Sequence, residues 1–125
     1  MKLATKIIVY FTSFLYFSLG VLFIVIPVSA AEGLGYHSLS PAGILEVRAS
    51  YGGLWISLSI FIIYLMKREL VREALFFCLI SFLGFGIGRL IGAILNGGFA
   101  GNHLMWFLFE LVYCVICLFF FLKKK

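Results

Sequence analysis

Two ionisable side chains stand where the surrounding sequence is almost wholly apolar. Arg89 lies among glycines in residues 84–98, GFGIGRLIGAILNGG, and Glu110 interrupts the run LFELVY. A guanidinium and a carboxylate can each replace part of the hydration the other has lost, through charge-assisted hydrogen bonds that are bidentate at best. An ionisable group inside a membrane is by default a hypothesis about a functional site. Nearby in the pattern, EVRASYGGLW (residues 46–55) supplies Glu46, Arg48 and Tyr51, while Asn96 and His103 flank a short link. Together these types offer recognition of a polar head: Arg48 and Arg89 donate to an anion, Tyr51 gives a hydrogen-bonding wall, and Glu110 holds Arg89 in place.

Catalytic and metal chemistry find less support. The chain has no P-loop, no H-E-x-x-H and no nucleophile elbow, and the Gly84-x-Gly86-x-Gly88 pattern follows no strand, so a dinucleotide site fails on context. His37 and His103 have no second ligand at usable spacing, so neither a metal nor a cofactor is expected. Cys114 and Cys117 form a C-x-x-C on one helical face with Glu110, and Cys78 falls at a depth similar to Cys117. A thiol reacts as its thiolate, which needs a water boundary or a nearby cation. These cysteines have neither in the sequence, so small apolar packing is their expected role, with thiol-redox chemistry as an alternative.

The elements that must position these groups follow from composition. Of the 125 residues, 64% are hydrophobic and 12% charged, and the apolar residues gather into runs of about the 20 that a bilayer-spanning helix needs. Four spans are predicted, at residues 6–28, 47–66, 74–95 and 103–122, in one all-α transmembrane domain built as an antiparallel four-helix bundle. The links KRELVRE and NGGFAGN are so short that the helices they join must be antiparallel neighbours. Arg89 lies six residues before the end of span three and Glu110 seven into span four, about 9 and 10 Å from the same side at 1.5 Å per residue. Matching depths predict an Arg89–Glu110 ion pair.

The net charge of +5 does not point to nucleic acid, because Lys2, Lys6, Lys67, Arg68, Arg72 and Lys123 to Lys125 all fall at span ends. Counting them by the positive-inside rule puts both termini in the cytoplasm and the Arg89 side of the spans in the outer leaflet. Val28 and Ala30 fit the small-residue pattern of a signal-peptidase site, but the preceding apolar run of about 20 residues exceeds the usual 7 to 15. Retention of span one is therefore expected. Pro27 should end the first helix, and Ser40-Pro41 reads as an N-cap with proline at the first helical position. Gly84, Gly88 and Gly92 recur every four residues, a ridge on which another helix can approach closely. Contact inside the bundle is the expected use and homo-oligomerisation the alternative. Gly20, Gly52 and Gly53 are read the same way. Polarity confined to one third of the spans describes a pocket rather than a pore.

With R-x-x-Y-G-G at Arg48 to Gly53, G-R-x-x-G at Gly88 to Gly92 and the span-four Glu110, nearly the whole chain resembles a family of small four-helix bacterial membrane proteins of unknown function. The resemblance implies that Arg48, Tyr51, Gly52, Gly53, Gly88, Arg89 and Glu110 occupy the family's motif positions. It implies no activity, and Cys114 and Cys117 are outside its pattern. The expectation is a multi-pass protein of a bacterial inner membrane that binds a lipid or lipophilic small molecule at Arg48, Tyr51, Arg89 and Glu110. The alternatives are a structural subunit or assembly factor, and a redox enzyme using Cys114 and Cys117.

Overall fold

The computed structural model describes residues 3–123; Lys2, Lys124 and Lys125, three of the basic residues at the span ends, lie outside the described residues. The regular elements are α1 Leu3–Val25, α2 Pro27–Glu32, α3 Pro41–Val47, a π-helical turn Arg48–Gly53, α4 Leu54–Lys67, α5 Val71–Asn96 and α6 His103–Leu122. With α3, the π turn and α4 continuous, four helices are long and apolar enough to cross a bilayer. Their exposed positions carry side chains such as Phe14, Leu54, Ile94 and Val112, a surface suited to lipid rather than to water. The chain is an all-α, multi-pass membrane protein.

Helix ends depart from the hydropathy reading where capping chemistry intervenes. α1 stops at Val25 because Pro27 has no N–H to offer the carbonyl four residues back, and Ile26 leaves the helical region at φ −127°, ψ 62°. Pro27 then opens α2 as its first residue, so it both ends one helix and starts another. The second span starts at Pro41, before residue 47, since Ser40 caps it: Ser40 Oγ accepts the Gly43 N–H at 3.1 Å. α5 ends in a Schellman motif written as Asn96-Gly97-Gly98. Gly97 takes the left-handed region (φ 79°), its N–H donates to Ile94 O at 3.3 Å, and the Gly98 N–H donates to Ala93 O at 2.7 Å. That turn aims the chain into α6.

Two compact units can be described, each by itself. In the unit Tyr10–Glu69, α1 runs antiparallel to α4 and the π turn: Ser13 meets Ser59, Gly20 meets Ile56 and Gly52, and Phe23 meets Tyr51. Ser13 and Ser59 clasp the helices reciprocally. Ser59 Oγ donates to Ser13 O at 2.8 Å, Ser13 Oγ reaches Ser59 O at 3.1 Å, and the hydroxyls lie 2.9 Å apart. Where no water competes, such interhelical bonds hold helices that hydrophobicity alone would not pair. Further along the same crossing, a Cβ on Gly20 would fall 2.8 Å from Gly52 O and 2.7 Å from Ile56 Cγ1, so only glycine permits the approach.

The second unit comprises the residues up to Val9 and those from Leu70 onward. Here α5 and α6 lie antiparallel: Phe76 pairs with Phe121, Phe82 with Tyr113, and Arg89 with Glu110. Ala74, Leu75, Cys78, Phe82, Tyr113 and Cys117 form its buried seam. The Tyr113 hydroxyl donates to Ile8 O at 3.0 Å, which ties the start of α1 to this seam.

Candidate functional site

Arg89 and Glu110 meet as depth predicts. Arg89 Nε donates to Glu110 Oε1 at 2.8 Å, with Glu110 only 5% exposed and the Arg89 side chain 19% exposed. The pair shares a single hydrogen bond and is not bidentate. Arg89 Nη1 turns instead to His103 Nδ1 at 2.6 Å. Guanidinium nitrogens only donate, so Nδ1 is the acceptor in this contact. His103 begins α6 and Glu110 lies two turns on, about 10 Å along the axis. The guanidinium thus reaches the head of α6 while its Nε holds the carboxylate.

This division leaves one carboxylate oxygen over. Among the described residues, two buried side-chain polar atoms lack a hydrogen-bond partner, Glu110 Oε2 and Trp106 Nε1. Each such atom costs about 1–3 kcal/mol, and more where it carries charge. The two are a donor and an acceptor from residues four apart on α6, which share a face; His103, three before Trp106, continues the same stripe. Across from them Gly86 offers no side chain: a Cβ there would stand 3.9 Å from Glu110 Oε2. The result is a polar cluster of Arg89, His103, Trp106 and Glu110 with unused hydrogen-bonding capacity at its centre.

Arg48 and Tyr51 belong to the other unit and are engaged within it. Arg48 Nε donates to Ile24 O at 3.1 Å, one of the last α1 carbonyls, which the break at Ile26 leaves short of helical donors. A cation at that helix end also complements the helix dipole. Tyr51 stacks on Phe23 with ring centroids 5.2 Å apart, packs edge-on against Trp55 at 5.9 Å, and its hydroxyl lies 3.0 Å from the Tyr36 hydroxyl. Glu46 accepts from Ser50 Oγ at 2.6 Å. The π-helical turn carries this whole arrangement, since widening the helix between Arg48 and Gly53 sets the Arg48 and Tyr51 side chains and the bare Gly52 backbone toward α1.

Comparison with known proteins settles the family. Residues 4–121 match the model of a domain of unknown function, DUF4345. The chain belongs to the DUF4345 family. No curated protein and no solved structure shows detectable similarity to it. For this DUF4345 chain the reading of function therefore rests on the polar cluster.

The remaining sequence candidates fall differently. Within the unit that holds α5 and α6, nothing lies within 4 Å of where a Cβ on Gly84, Gly88 or Gly92 would stand. Gly53 is likewise uncrowded, its nearest neighbour being Arg48 O at 3.8 Å. The close glycine crossing of the DUF4345 fold is at Gly20 and Gly52. Cys78, Cys114 and Cys117 are thiols buried in the α5–α6 seam and not joined in disulfides, with Cys114 Sγ 3.9 Å from Leu79 O. His37 and His103 join no cluster of three metal-binding side chains among the described residues. Trp106 is not among the candidates read from the sequence, where His103 enters only as a flanking polar residue. The signal for both is their spacing of four and seven from Glu110, which puts them on its face of α6.

Proposed function

We propose that this DUF4345 protein binds the polar head of a lipid or lipophilic small molecule inside the membrane, at Arg89, His103, Trp106 and Glu110. One observation carries the reading: a buried indole N–H and a buried carboxylate oxygen, both without partners, flank an arginine already held in place. Buried polar groups in folded proteins are almost always satisfied, so a pair left over on one helix face is a request for a ligand. Arg48 and Tyr51, expected to join the same site, have partners of their own, and the reading does not rest on them. Lys6, Lys67, Arg68, Arg72 and Lys123 support an orientation with both termini in the cytoplasm of a bacterial inner membrane, and this puts the cluster in the outer leaflet. Reporter fusions to the two ends and to residues 97–102 test the orientation.

Native mass spectrometry of the full chain, released from its own membrane in mild detergent, tests the binding. An amphiphile should be retained by the wild type and lost from Arg89→Ala. The charge-swapped variant, Arg89→Glu with Glu110→Arg, should recover accumulation in the membrane but not the bound amphiphile; recovery of both would make the pair purely structural.

A second reading, a structural subunit or self-associating protein, is favoured by the uncovered ridge of Gly84, Gly88 and Gly92, which a second copy could cover. Gly88→Leu should then abolish crosslinking between copies in the bilayer. The redox alternative predicts a loss of function when Cys114 and Cys117 are both replaced by serine, and an unchanged phenotype would end it.

A further inference from the structure

Binding of an amphiphile at the cluster leaves the ligand's polar group unspecified, and the atoms there narrow it. Building on that binding function, we propose that the group received between Trp106 and Glu110 is an uncharged hydroxyl, as on a glyceride or sugar headgroup, and not a phosphate or carboxylate. A hydroxyl both donates and accepts, so it can give its proton to Glu110 Oε2 and take the Trp106 Nε1 proton, and a vicinal diol can serve one atom with each oxygen. An anion only accepts. It could satisfy the indole but would set like charge against the Glu110 carboxylate in a region of low dielectric.

The charges around the cluster agree. Arg89 is compensated by Glu110 and also meets His103 Nδ1, so its guanidinium is engaged on two sides. The arginine therefore orients the carboxylate rather than advertising for an anion, and this revises the anion-donor role read for it from the sequence. Gly86 stands opposite with no side chain, and a Cβ there would fall 3.9 Å from Oε2.

The same headgroup chemistry occurs on a lipid and on a free sugar. Trp106 and Glu110 lie about 5 and 10 Å into the helix from its end, among exposed apolar residues such as Leu83, Ile87 and Met105. That setting selects the lipid.

The experiment uses the full chain in lipid nanodiscs with the indole nitrogens labelled by 15N, and three probes: monoglucosyl-dioleoylglycerol, dioleoyl phosphatidate with the same chains, and methyl glucoside with the same head. The glucolipid should shift the Trp106 indole N–H resonance saturably, with phosphatidate at least tenfold weaker and methyl glucoside without effect at matched concentration. Gly86→Ser supplies a hydroxyl from the chain itself. The Cβ position 3.9 Å from Oε2 puts a serine oxygen within hydrogen-bonding reach. This variant should raise the melting temperature above that of Gly86→Ala and weaken glucolipid binding about tenfold, the loss of roughly one buried hydrogen bond.

Phosphatidate binding as tightly as the glucolipid would overturn the hydroxyl assignment and leave the binding function intact. Saturable binding of methyl glucoside would replace the lipid by a free sugar. If no probe moves the Trp106 resonance and no amphiphile is retained in native mass spectrometry, both the assignment and the binding function fall. The wild-type comparison of probes needs no variant, so poor folding of Gly86→Ser would not rescue the proposal.

Discussion

The π turn facing α1 and the α5–α6 polar cluster are built from the same materials, an arginine, an aromatic ring, a glutamate and glycines, and they are finished differently. At the π turn, Arg48 is bonded to a helix carbonyl, the Tyr51 and Tyr36 hydroxyls meet, Glu46 takes Ser50, and Gly52 is pressed against α1. In the cluster, Arg89 is likewise engaged, yet Glu110 Oε2 and Trp106 Nε1 remain over, with Gly86 opposite them at ordinary contact distance from Glu110. Motif residues alone therefore do not distinguish a structural joint from a binding site. Their hydrogen bonds differ: the π turn pairs its polar groups, whereas the cluster leaves two buried atoms without partners, and on that difference the proposed function rests.

The largest test of that contrast is removal of a charge. Arg89→Ala or Glu110→Ala should destabilise the protein by about 3–5 kcal/mol in denaturant titration, since each leaves the other charge buried and uncompensated. Arg48→Ala, on an exposed side chain at a helix end, should cost only about 1 kcal/mol. Equal losses would erase the distinction between the two arginines.

Next come the glycines. Gly20→Ala and Gly52→Ala force a methyl to within 3 Å of neighbouring atoms, and each should lower stability by about 1–3 kcal/mol. Gly84→Ala and Gly88→Ala meet nothing among the described residues of their own unit. They should be neutral, or stabilising by up to about 1 kcal/mol from helix propensity. A loss at Gly88 that grows with protein concentration would instead identify the ridge as a contact between copies.

The smallest effects have opposite signs. Tyr51→Phe removes a satisfied hydroxyl and should cost about 0.5 kcal/mol or slightly more. Trp106→Phe removes an unsatisfied donor; in protein stripped of lipid by detergent it should leave stability unchanged or raise it by up to about 1 kcal/mol. Thermal unfolding of the two variants side by side would sharpen the comparison, and a clear destabilisation by Trp106→Phe would show that its indole is already in use.

Much of the architecture was legible from the chain alone. Apolar runs of spanning length gave four membrane helices, the Ser40-Pro41 pair marked a helix start, Pro27 a helix end, and the two short links an antiparallel order that makes residue depth readable on α5 and α6. Depth paired Arg89 with Glu110, because rise per residue is fixed by helix geometry. The family resemblance, too, followed from motifs spread over the chain and agrees with the DUF4345 match at residues 4–121.

Other features depend on rotation about helix axes and on the choice of rotamers, which one-dimensional spacing does not specify. Only the tertiary structure gave Arg48 to the end of α1, turned Arg89 Nη1 toward His103, and left Glu110 Oε2 and Trp106 Nε1 without partners. It also showed how closely Gly20 and Gly52, which the sequence marks only as small residues, bring α1 and the π turn together. The sequence by itself determined that these charges are buried at matching depth, since hydropathy and helix rise are local properties. Which of their polar atoms find partners within the chain was decided by the packing of side chains in three dimensions.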